Sequence, residues 1–178
     1  MKHWTLTGRE RVFETNWFQV REDRMVSPRN GLEAPFYVME VADWVNVVAL
    51  TPERELVLVR QYRFGRERLS LEIPGGVIEP GEDPALAAVR ELREETGYAG
   101  DPIQPLGWFE PNPALQSNRM FTYVVENCRR VAEPRLDEAE DITVELMPLA
   151  RLPEAIANGE VRHALALAAL FQHHLRGD

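Results

Sequence analysis

The segment from Asp83 to Gly97 constrains the fold more than any other part of the chain, because it carries the start and stop signals of one helix. Asp83 offers a side-chain oxygen to the first free N–H groups of a helix, and the proline ring of Pro84 favours the first turn. Gly97 stands where a helix ends, since glycine adopts the left-handed conformation that closes the last turn. The sequence therefore predicts a helix over Pro84–Thr96.

One side of this predicted helix is apolar and the neighbouring side is acidic. The apolar side, which we expect to be buried, gathers five residues at about 100° per residue: Ala85, Ala88, Val89, Leu92 and Thr96. Glu91, Glu94 and Glu95 share the other side, in the last turns, where the helix dipole is also negative. Carboxylate oxygens held together in this way suit Mg²⁺ or Mn²⁺, although a solvated acidic face is the alternative interpretation.

The wider pattern around this helix resembles the Nudix box. Its defining positions are Gly76, Glu82, Arg90-Glu91-Leu92, Glu94-Glu95 and Gly97, followed by Tyr98 where an aliphatic residue is usual. The loop Pro74-Gly75-Gly76 enters the predicted site, and its glycines allow close approach of the backbone.

The resemblance implies a role for each acidic residue of the box. The implied metal ligands are Glu91 and Glu95 as the principal ones, Glu94 as an assisting one, and the backbone carbonyl of Gly75. Arg90 would orient the carboxylates, which is a task that suits a guanidinium group. Glu82 would either bind metal through water or hold the loop. The implied cofactor is Mg²⁺, and Mn²⁺ is expected to substitute for it.

Composition limits the remaining possibilities. At 178 residues the chain is expected to form one domain with a proper core, preceded by a short N-terminal extension. A net charge of −9 argues against nucleic acid as a general ligand. The single cysteine, Cys128, excludes an intramolecular disulfide and suits a cytoplasmic protein. We find neither an apolar run that could span a membrane nor a signal-peptide pattern after Met1.

Apolar runs between turn signals predict the strands. Predicted strands cover 18–24, 36–41, 45–50, 55–60, 106–109, 119–126 and 142–147, and predicted helices cover 84–96, 152–158 and 161–175. The first two strands should form a hairpin, and so should Val45–Leu50 with Glu55–Arg60, as a buried pair in the core. In the last helix the expected core contacts are Leu165, Leu167, Ala168 and Phe171.

This order of elements indicates an α/β fold in which helices cover both faces of a mixed sheet. The Nudix resemblance implies the same architecture, an α/β/α sandwich with a mixed β-sheet, plus an N-terminal β extension. We expect residues 1–40 to form that extension and residues 41–178 to form the Nudix hydrolase domain. Relatives of this kind are dimers whose N-terminal strands cross to the partner, so the expected state is a homodimer.

A divalent cation on carboxylates binds phosphate oxygens and orients or acidifies water, which favours cleavage of a diphosphate. The resemblance implies Mg²⁺-dependent hydrolysis of nucleoside diphosphate sugars, including ADP-ribose, to a nucleoside monophosphate and a sugar phosphate. A strict ADP-ribose pyrophosphatase is the alternative. An RNA 5′-end pyrophosphohydrolase and a non-catalytic ligand sensor are more distant ones.

Two further groups of residues complete the predicted site. The acidic stretch Leu136–Ile142 resembles a loop that supplies the catalytic base in ADP-ribose pyrophosphatases, and by position the base falls on Glu138, with Glu140 second. The alternative is a solvated surface loop. Five residues are expected to contact the small-molecule substrate: Arg60 and Arg63 of the RQYR segment, Trp44, Asn118 and Arg119.

Overall fold

The computed structural model describes residues 3–138 and 140–177. The chain divides into two compact units, Met1–Asp43 with Glu110–Arg119, and Trp44–Phe109 with Met120–Asp178. Within the described residues, no helix combines the length and the apolar character needed to cross a membrane.

The first unit is built on a three-stranded antiparallel sheet in the order β1-β2-β3, with β1 at Thr5–Glu14, β2 at Gln19–Val26 and β3 at Glu33–Glu40. The hairpin of β2 and β3 confirms the prediction, but β1 was not predicted as a strand. Its centre is charged, and its pairing depends on contacts across the sheet that its own sequence does not display. Arg9, for example, faces Asp23 and donates two hydrogen bonds of 2.6 and 2.9 Å to its carboxylate.

A returning segment completes this unit. Met39 and Gln116 form an isolated parallel bridge, and the N–H of Met39 donates to the carbonyl of Leu115 over 2.7 Å. The backbone N–H of Arg119 donates to Asp43 over 2.7 Å. These contacts fix residues 110–119 to the end of β3.

The second unit contains two larger sheets. The first has the order β7-β4-β10-β9, with β4 at Trp44–Ala49, β7 at Gly75–Val77, β9 at Ile103–Phe109 and β10 at Met120–Val125. It is mixed, because β10 runs parallel to β4 whereas the other pairs are antiparallel. The second sheet is antiparallel in the order β12-β5-β6, with β5 at Glu55–Arg63, β6 at Arg68–Glu72 and β12 at Ile142–Pro148. A short ladder joins β8, Tyr98–Ala99, to β11, Arg129–Arg130.

In the described part of the second unit, three helices cover the two faces of the layer formed by its two larger sheets: α1 at Pro84–Thr96, α2 at Leu152–Ala157 and α3 at Ala164–His174. Strand β4 is apolar on both faces because each face meets a different helix. Val45 and Val47 belong to the cluster that packs on α1, whereas Val48 belongs to the cluster that packs on α2 and α3. The predicted α/β/α sandwich with a mixed sheet and an N-terminal β extension is therefore confirmed.

The predicted core hairpin is wrong. Strand β4 pairs with β7 and β10, and strand β5 pairs with β6 and β12, so that the two meet at their ends, at the isolated bridge between Leu50 and Leu56. The turn after Leu50 carries Arg54 at a φ of 61°, and it passes the chain from one sheet to the other. An apolar run predicts that both faces of a strand are buried, but it does not say which strand lies beside it.

The predicted core face of the last helix is also wrong in part. Four residues of α3 are buried: Ala166, Ala169, Leu170 and His173. Leu167 packs against the core from a partly buried position, but Phe171 is 60% exposed. Since this helix is apolar almost all the way around, its sequence has no clear period from which to choose a face.

Candidate functional site

Helix α1 begins and ends at the predicted residues. Oδ1 of Asp83 accepts a hydrogen bond of 2.8 Å from the N–H of Ala85, and Pro84 is the first helical residue. Gly97 adopts a φ of 73° and donates its N–H to the carbonyl of Arg93 over 2.9 Å. These caps fix the position at which the acidic residues of the helix lie.

The acidic residues of α1 occupy different environments. The buried residues of the helix are Ala87, Ala88, Leu92, Glu95 and Thr96. The predicted burial of Val89 is wrong, because this side chain is 42% exposed. Glu95, in contrast, is only 4% exposed, whereas the Glu94 side chain is 46% exposed. The buried face of the helix is therefore rotated about the helix axis relative to the predicted face, and it includes Glu95.

Arg90 joins three of the predicted site carboxylates. Its guanidinium donates two bonds of 2.9 Å to Glu82, one of 2.7 Å to Glu91 and one of 3.1 Å to Glu94. A further bond of 3.0 Å to the carbonyl of Val77 fixes its own position. The bonds from Arg90 lower the pKa of Glu82 to about 2. Glu82 also accepts the N–H of Glu79 over 2.9 Å, so its carboxylate holds the loop before the helix.

Glu95 is bound to the glycine loop. Its Oε2 accepts a hydrogen bond of 2.9 Å from the N–H of Gly75. Burial raises the pKa of Glu95 to about 8, and the charges of Glu91 and Glu140 add to this effect, although the bond from Gly75 opposes it. A carboxyl group with this pKa gains strongly from a nearby cation.

Gly76 lies against Glu91. A Cβ atom at Gly76 would stand 2.4 Å from Cδ of Glu91, and a Cβ atom at Gly75 would stand 2.2 Å from the carbonyl oxygen of Val45. Each glycine is therefore required by a close approach, the first to a carboxylate and the second to the backbone of β4. Burial is also the main reason that the pKa of Glu91 is raised.

The predicted acidic loop is anchored at the end of α1. The N–H of Val131 donates to the carbonyl of Gly97, and the N–H of Arg135 donates to the carbonyl of Glu94, both over 2.8 Å. In the stretch that follows, Glu138 is exposed, and Glu140 accepts the N–H of Asp137 over 3.0 Å. The negative charge of Glu140 raises the pKa of both Glu91 and Glu95.

A cavity of about 350 Å³ adjoins the glycine loop. Trp44 and Arg63, two of the predicted substrate contacts, belong to its wall together with Gly75 and Gly76. Arg63 donates bonds of 2.9 and 2.6 Å to the buried carboxylate of Glu72.

The structure places the other predicted contacts elsewhere. Arg60 donates to Glu145 on β12 through two hydrogen bonds, one of them 3.1 Å long. Asn118 and Arg119 belong to the first unit, where Arg119 donates bonds of 2.6 and 3.1 Å to Asp43 and Asn118 is buried.

Three residues of the cavity wall were not singled out from the sequence. Asn46, Glu72 and His163 all line the cavity. A signal was present for Asn46, since it is a polar residue inside the otherwise apolar strand β4, where burial without a partner is unfavourable. Glu72 gave no such signal, because it ends β6 after Arg68 and Ser70. His163 follows no such pattern, because only the fold brings the start of α3 to this cavity.

The carboxylates do not converge on a single point. Among residues 3–138 and 140–177, no group of three or more His, Cys, Asp or Glu side chains is arranged to hold a metal ion. Three of the predicted ligand carboxylates instead bond to Arg90, which serves as their counter-ion. The donor set nevertheless fits a hard divalent cation, because it offers only oxygen atoms and includes Glu95 with its raised pKa.

Comparisons with known proteins show relatives over most of the chain. A family model described as the NUDIX domain matches residues 42–170. The methanol dehydrogenase activator of Bacillus methanolicus is 33% identical over 147 residues, which cover 83% of this chain and 78% of that protein. The ADP-ribose pyrophosphatase of Bacillus subtilis (strain 168) is 29% identical over 164 residues, which cover 92% of this chain and 88% of that protein.

A solved structure is similar over nearly the whole length. The crystal structure of an ADP compounds hydrolase superposes with a TM-score of 0.87 at 25% sequence identity, covering 99% of this chain and 95% of that chain. Together with the match over residues 42–170 and the capped acidic helix, these similarities lead to one conclusion: the chain belongs to the NUDIX domain family and is a Nudix hydrolase.

Proposed function

We propose that this enzyme hydrolyses the diphosphate bond of nucleoside diphosphate sugars, including ADP-ribose, to a nucleoside monophosphate and a sugar phosphate. The observation that carries the proposal is the position of Gly75 and Gly76, which contact the box acids on one side and line the 350 Å³ cavity on the other. The acidic centre, formed by Glu91, Glu94 and Glu95 and suited to a cation, thus adjoins a space for a small molecule. The names of an ADP-ribose pyrophosphatase and an ADP compounds hydrolase among the similar proteins support this choice.

Nudix hydrolases generally use divalent metal ions, and we propose Mg²⁺ for this one, with Mn²⁺ as a substitute. The side chains that would hold it are Glu91 and Glu95, assisted by Glu94 and by the carbonyl of Gly75. When bound, such a cation neutralises charge on the diphosphate oxygens and activates water. The raised pKa of the buried Glu95 supports its assignment, because its ionised form is unfavourable until a cation is present.

Arg90 is proposed to orient the acidic groups of the site. Its bonds to Glu82 and to the carbonyl of Val77 hold the guanidinium in place, so that its remaining N–H groups position Glu91 and Glu94. We assign Glu82 to holding this guanidinium and the loop, rather than to a direct bond with metal.

The base that takes a proton from water is proposed to be a glutamate of the acidic loop. Glu140 is favoured, because its charge acts on both Glu91 and Glu95. Glu138, to which the resemblance points first, is the second candidate. Either carboxylate would need only modest basicity beside metal-activated water.

Among the predicted substrate contacts, Arg63 and Trp44 are supported by their place in the cavity wall. Arg60, Asn118 and Arg119 are retained as proposed contacts. The bonds of Arg60 to Glu145 and of Arg119 to Asp43 are then rearranged or shared when substrate binds.

We further propose that residues 1–40 form a dimerising extension of a Nudix hydrolase domain at residues 41–178. The sheet of β1, β2 and β3 supports this proposal, because it exposes apolar side chains that a second copy of the chain would cover: Leu6, Val12, Phe13, Phe36 and Tyr37. Solution scattering should report twice the mass of one chain, and the mass of a single chain would contradict the proposal.

We propose the cytoplasm as the compartment, because the chain has a single cysteine. Cys128 is buried, and burial raises the pKa of its thiol to about 12, so it is an unreactive packing residue. A reducing compartment suits such a chain.

The substrate proposal is tested with a panel of ADP-ribose, ADP-glucose, UDP-glucose and GDP-mannose in the presence of Mg²⁺. Release of nucleoside monophosphate from several members supports the broader activity. Release from ADP-ribose alone supports the alternative, a strict ADP-ribose pyrophosphatase. Cleavage of none of the four would overturn both.

A further inference from the structure

We propose that the cavity beside the box binds the uncharged, hydroxyl-bearing sugar of the substrate, and that Asn46 is the residue that recognises it. The inference rests on the proposed function and names the part of the substrate that occupies this space. At about 350 Å³ the cavity falls within the range of about 300–1,000 Å³ typical of small-molecule sites. Because Gly75 lies in its wall and also bonds to Glu95, a group in the cavity lies next to the acidic centre.

The charged side chains of the wall cancel one another. Arg63 donates both of its bonds to Glu72, which is only 2% exposed, so the pair carries no net charge. Nδ1 of His163 lies 3.5 Å from Oε2 of Glu72. Burial lowers the pKa of His163 although Glu72 opposes the shift, and the imidazole is therefore neutral at neutral pH. A neutral polar wall does not compensate the charge of a phosphate, whereas it can exchange hydrogen bonds with hydroxyl groups.

Asn46 supplies a donor that the fold itself does not use. It lies on the central strand β4, is 8% exposed, and its Nδ2 donates no hydrogen bond to any residue that the structure describes. The other residues of this strand are Trp44, three valines and an alanine, so an apolar side chain would suit the position better for packing alone. A buried donor without an acceptor in the protein is explained if a bound ligand supplies the acceptor.

The cavity as a whole then matches a sugar. A hydroxyl group accepts from Asn46 and donates to the carboxylate of Glu72, while Trp44 and Leu165 supply apolar wall for the ring carbons. The diphosphate is left to the acidic centre on the other side of Gly75.

A matched pair of variants separates this role from packing. Asn46→Val removes the donor and keeps a residue typical of β4. Thr122→Val is the control, because Thr122 faces Asn46 in the register of β4 and β10, is fully buried, and its Oγ1 has no hydrogen-bond partner among the described residues. Thr122 does not belong to the described wall of the cavity. Thermal unfolding verifies that both variants fold, and Asn46→Ala replaces Asn46→Val if the latter does not.

The test compares the binding of ADP-glucose with that of the methyl ester of ADP, in which a methyl group replaces the sugar. Isothermal titration in EDTA prevents turnover and makes the result independent of catalysis. The wild type should bind ADP-glucose about tenfold or more tightly than the ester, Asn46→Val should lose most of this preference, and Thr122→Val should keep it. Equal binding of the two ligands by the wild type, or equal weakening of both by Asn46→Val, would overturn the inference. If the wild type shows the preference but releases no AMP from ADP-glucose with Mg²⁺, the proposed function fails and the sugar site stands.

Discussion

The backbone N–H of Gly75 donates a hydrogen bond of 2.9 Å to Oε2 of Glu95, and this bond joins the glycine loop to the acidic helix. It fixes the buried carboxyl group at the boundary between the box and the cavity. From this position we infer that the diphosphate and the cation bind on one side of Gly75, at the acidic centre, and that the sugar binds on the other side, in the cavity.

Replacing Glu95 by Gln should abolish turnover and also change how stability depends on pH. In the fold the pKa of Glu95 is about 8, above the ordinary value of 4.5, so the folded state keeps a proton that the unfolded chain releases. Without a divalent cation, the wild type should therefore lose stability as the pH rises from 4.5 through 8, and Glu95→Gln should lose less. Thermal unfolding in EDTA at pH 5 and pH 8.5 measures this difference.

Glu94→Gln is the matched control, since the Glu94 side chain is 46% exposed. Its stability should vary with pH as that of the wild type does. Addition of Mg²⁺ should raise the unfolding temperature of the wild type more than that of Glu95→Gln. An equal rise in both proteins would argue against Glu95 as a metal ligand.

Gly76→Ala should weaken metal binding while preserving the fold. The new Cβ would meet the carboxylate of Glu91 at 2.4 Å, and this carboxylate, at the end of a flexible side chain, should move away from its present place. The Mg²⁺ concentration that gives half-maximal activity should rise. Gly65→Ala is the control, because among the described residues nothing beyond its two chain neighbours lies within 4 Å of a Cβ added there. Its Mg²⁺ dependence should remain that of the wild type.

Glu140→Gln should slow turnover about 100-fold or more, as expected for loss of a general base, and should change the affinity for Mg²⁺ far less than it changes turnover. The charge of Glu140 acts on both Glu91 and Glu95, which is the reason for this choice. Steady-state rates at saturating substrate measure the effect. Glu138→Gln tests the second candidate under the same conditions, and a larger loss there would transfer the role of base to Glu138.

Arg63→Met should destabilise the fold by about 3 kcal/mol, because it leaves the buried carboxylate of Glu72 without its partner. This value is at the low end for a buried ion pair, since the Arg63 side chain is 43% exposed. Burial opposes ionisation of Glu72, but the hydrogen bonds and charge of Arg63 prevail and lower its pKa. The pair therefore stabilises the fold above pH 4.5, and this contribution fades as the pH falls below that value. Urea unfolding at pH 7 and pH 3.5 should show the deficit of the variant shrinking. Arg66→Met, in the exposed turn that follows, should change stability by less than about 0.5 kcal/mol at either pH.

The elements predicted best from the sequence are those whose signals are local. Helix α1 was predicted to the residue, because Asp83, Pro84 and Gly97 act within one turn of its ends. The pairing of strands was predicted less well, since an apolar strand such as β4 reveals burial but not its neighbours. Strand β1 was missed because its charges become favourable only beside β2, as in the contact of Arg9 with Asp23.

The candidate site divides in the same way. The sequence predicted which acidic residues belong to the box. It did not predict that Glu95 is buried, or that three other carboxylates bond to Arg90. Arg63 was predicted as a substrate contact, whereas its partner Glu72 and the neighbouring His163, which line the same cavity, were not. These residues come from β5, β6 and the start of α3, which no local pattern in the sequence connects.

Cation-dependent hydrolysis through Glu95 is tested most directly by product analysis of ADP-ribose hydrolysis by the wild type and by Glu95→Gln, with Mg²⁺ and with EDTA. The wild type with Mg²⁺ should release AMP and ribose 5-phosphate in equal amounts, and either EDTA or the substitution should stop the reaction. Undiminished release of AMP in EDTA, or by Glu95→Gln, would contradict this mechanism.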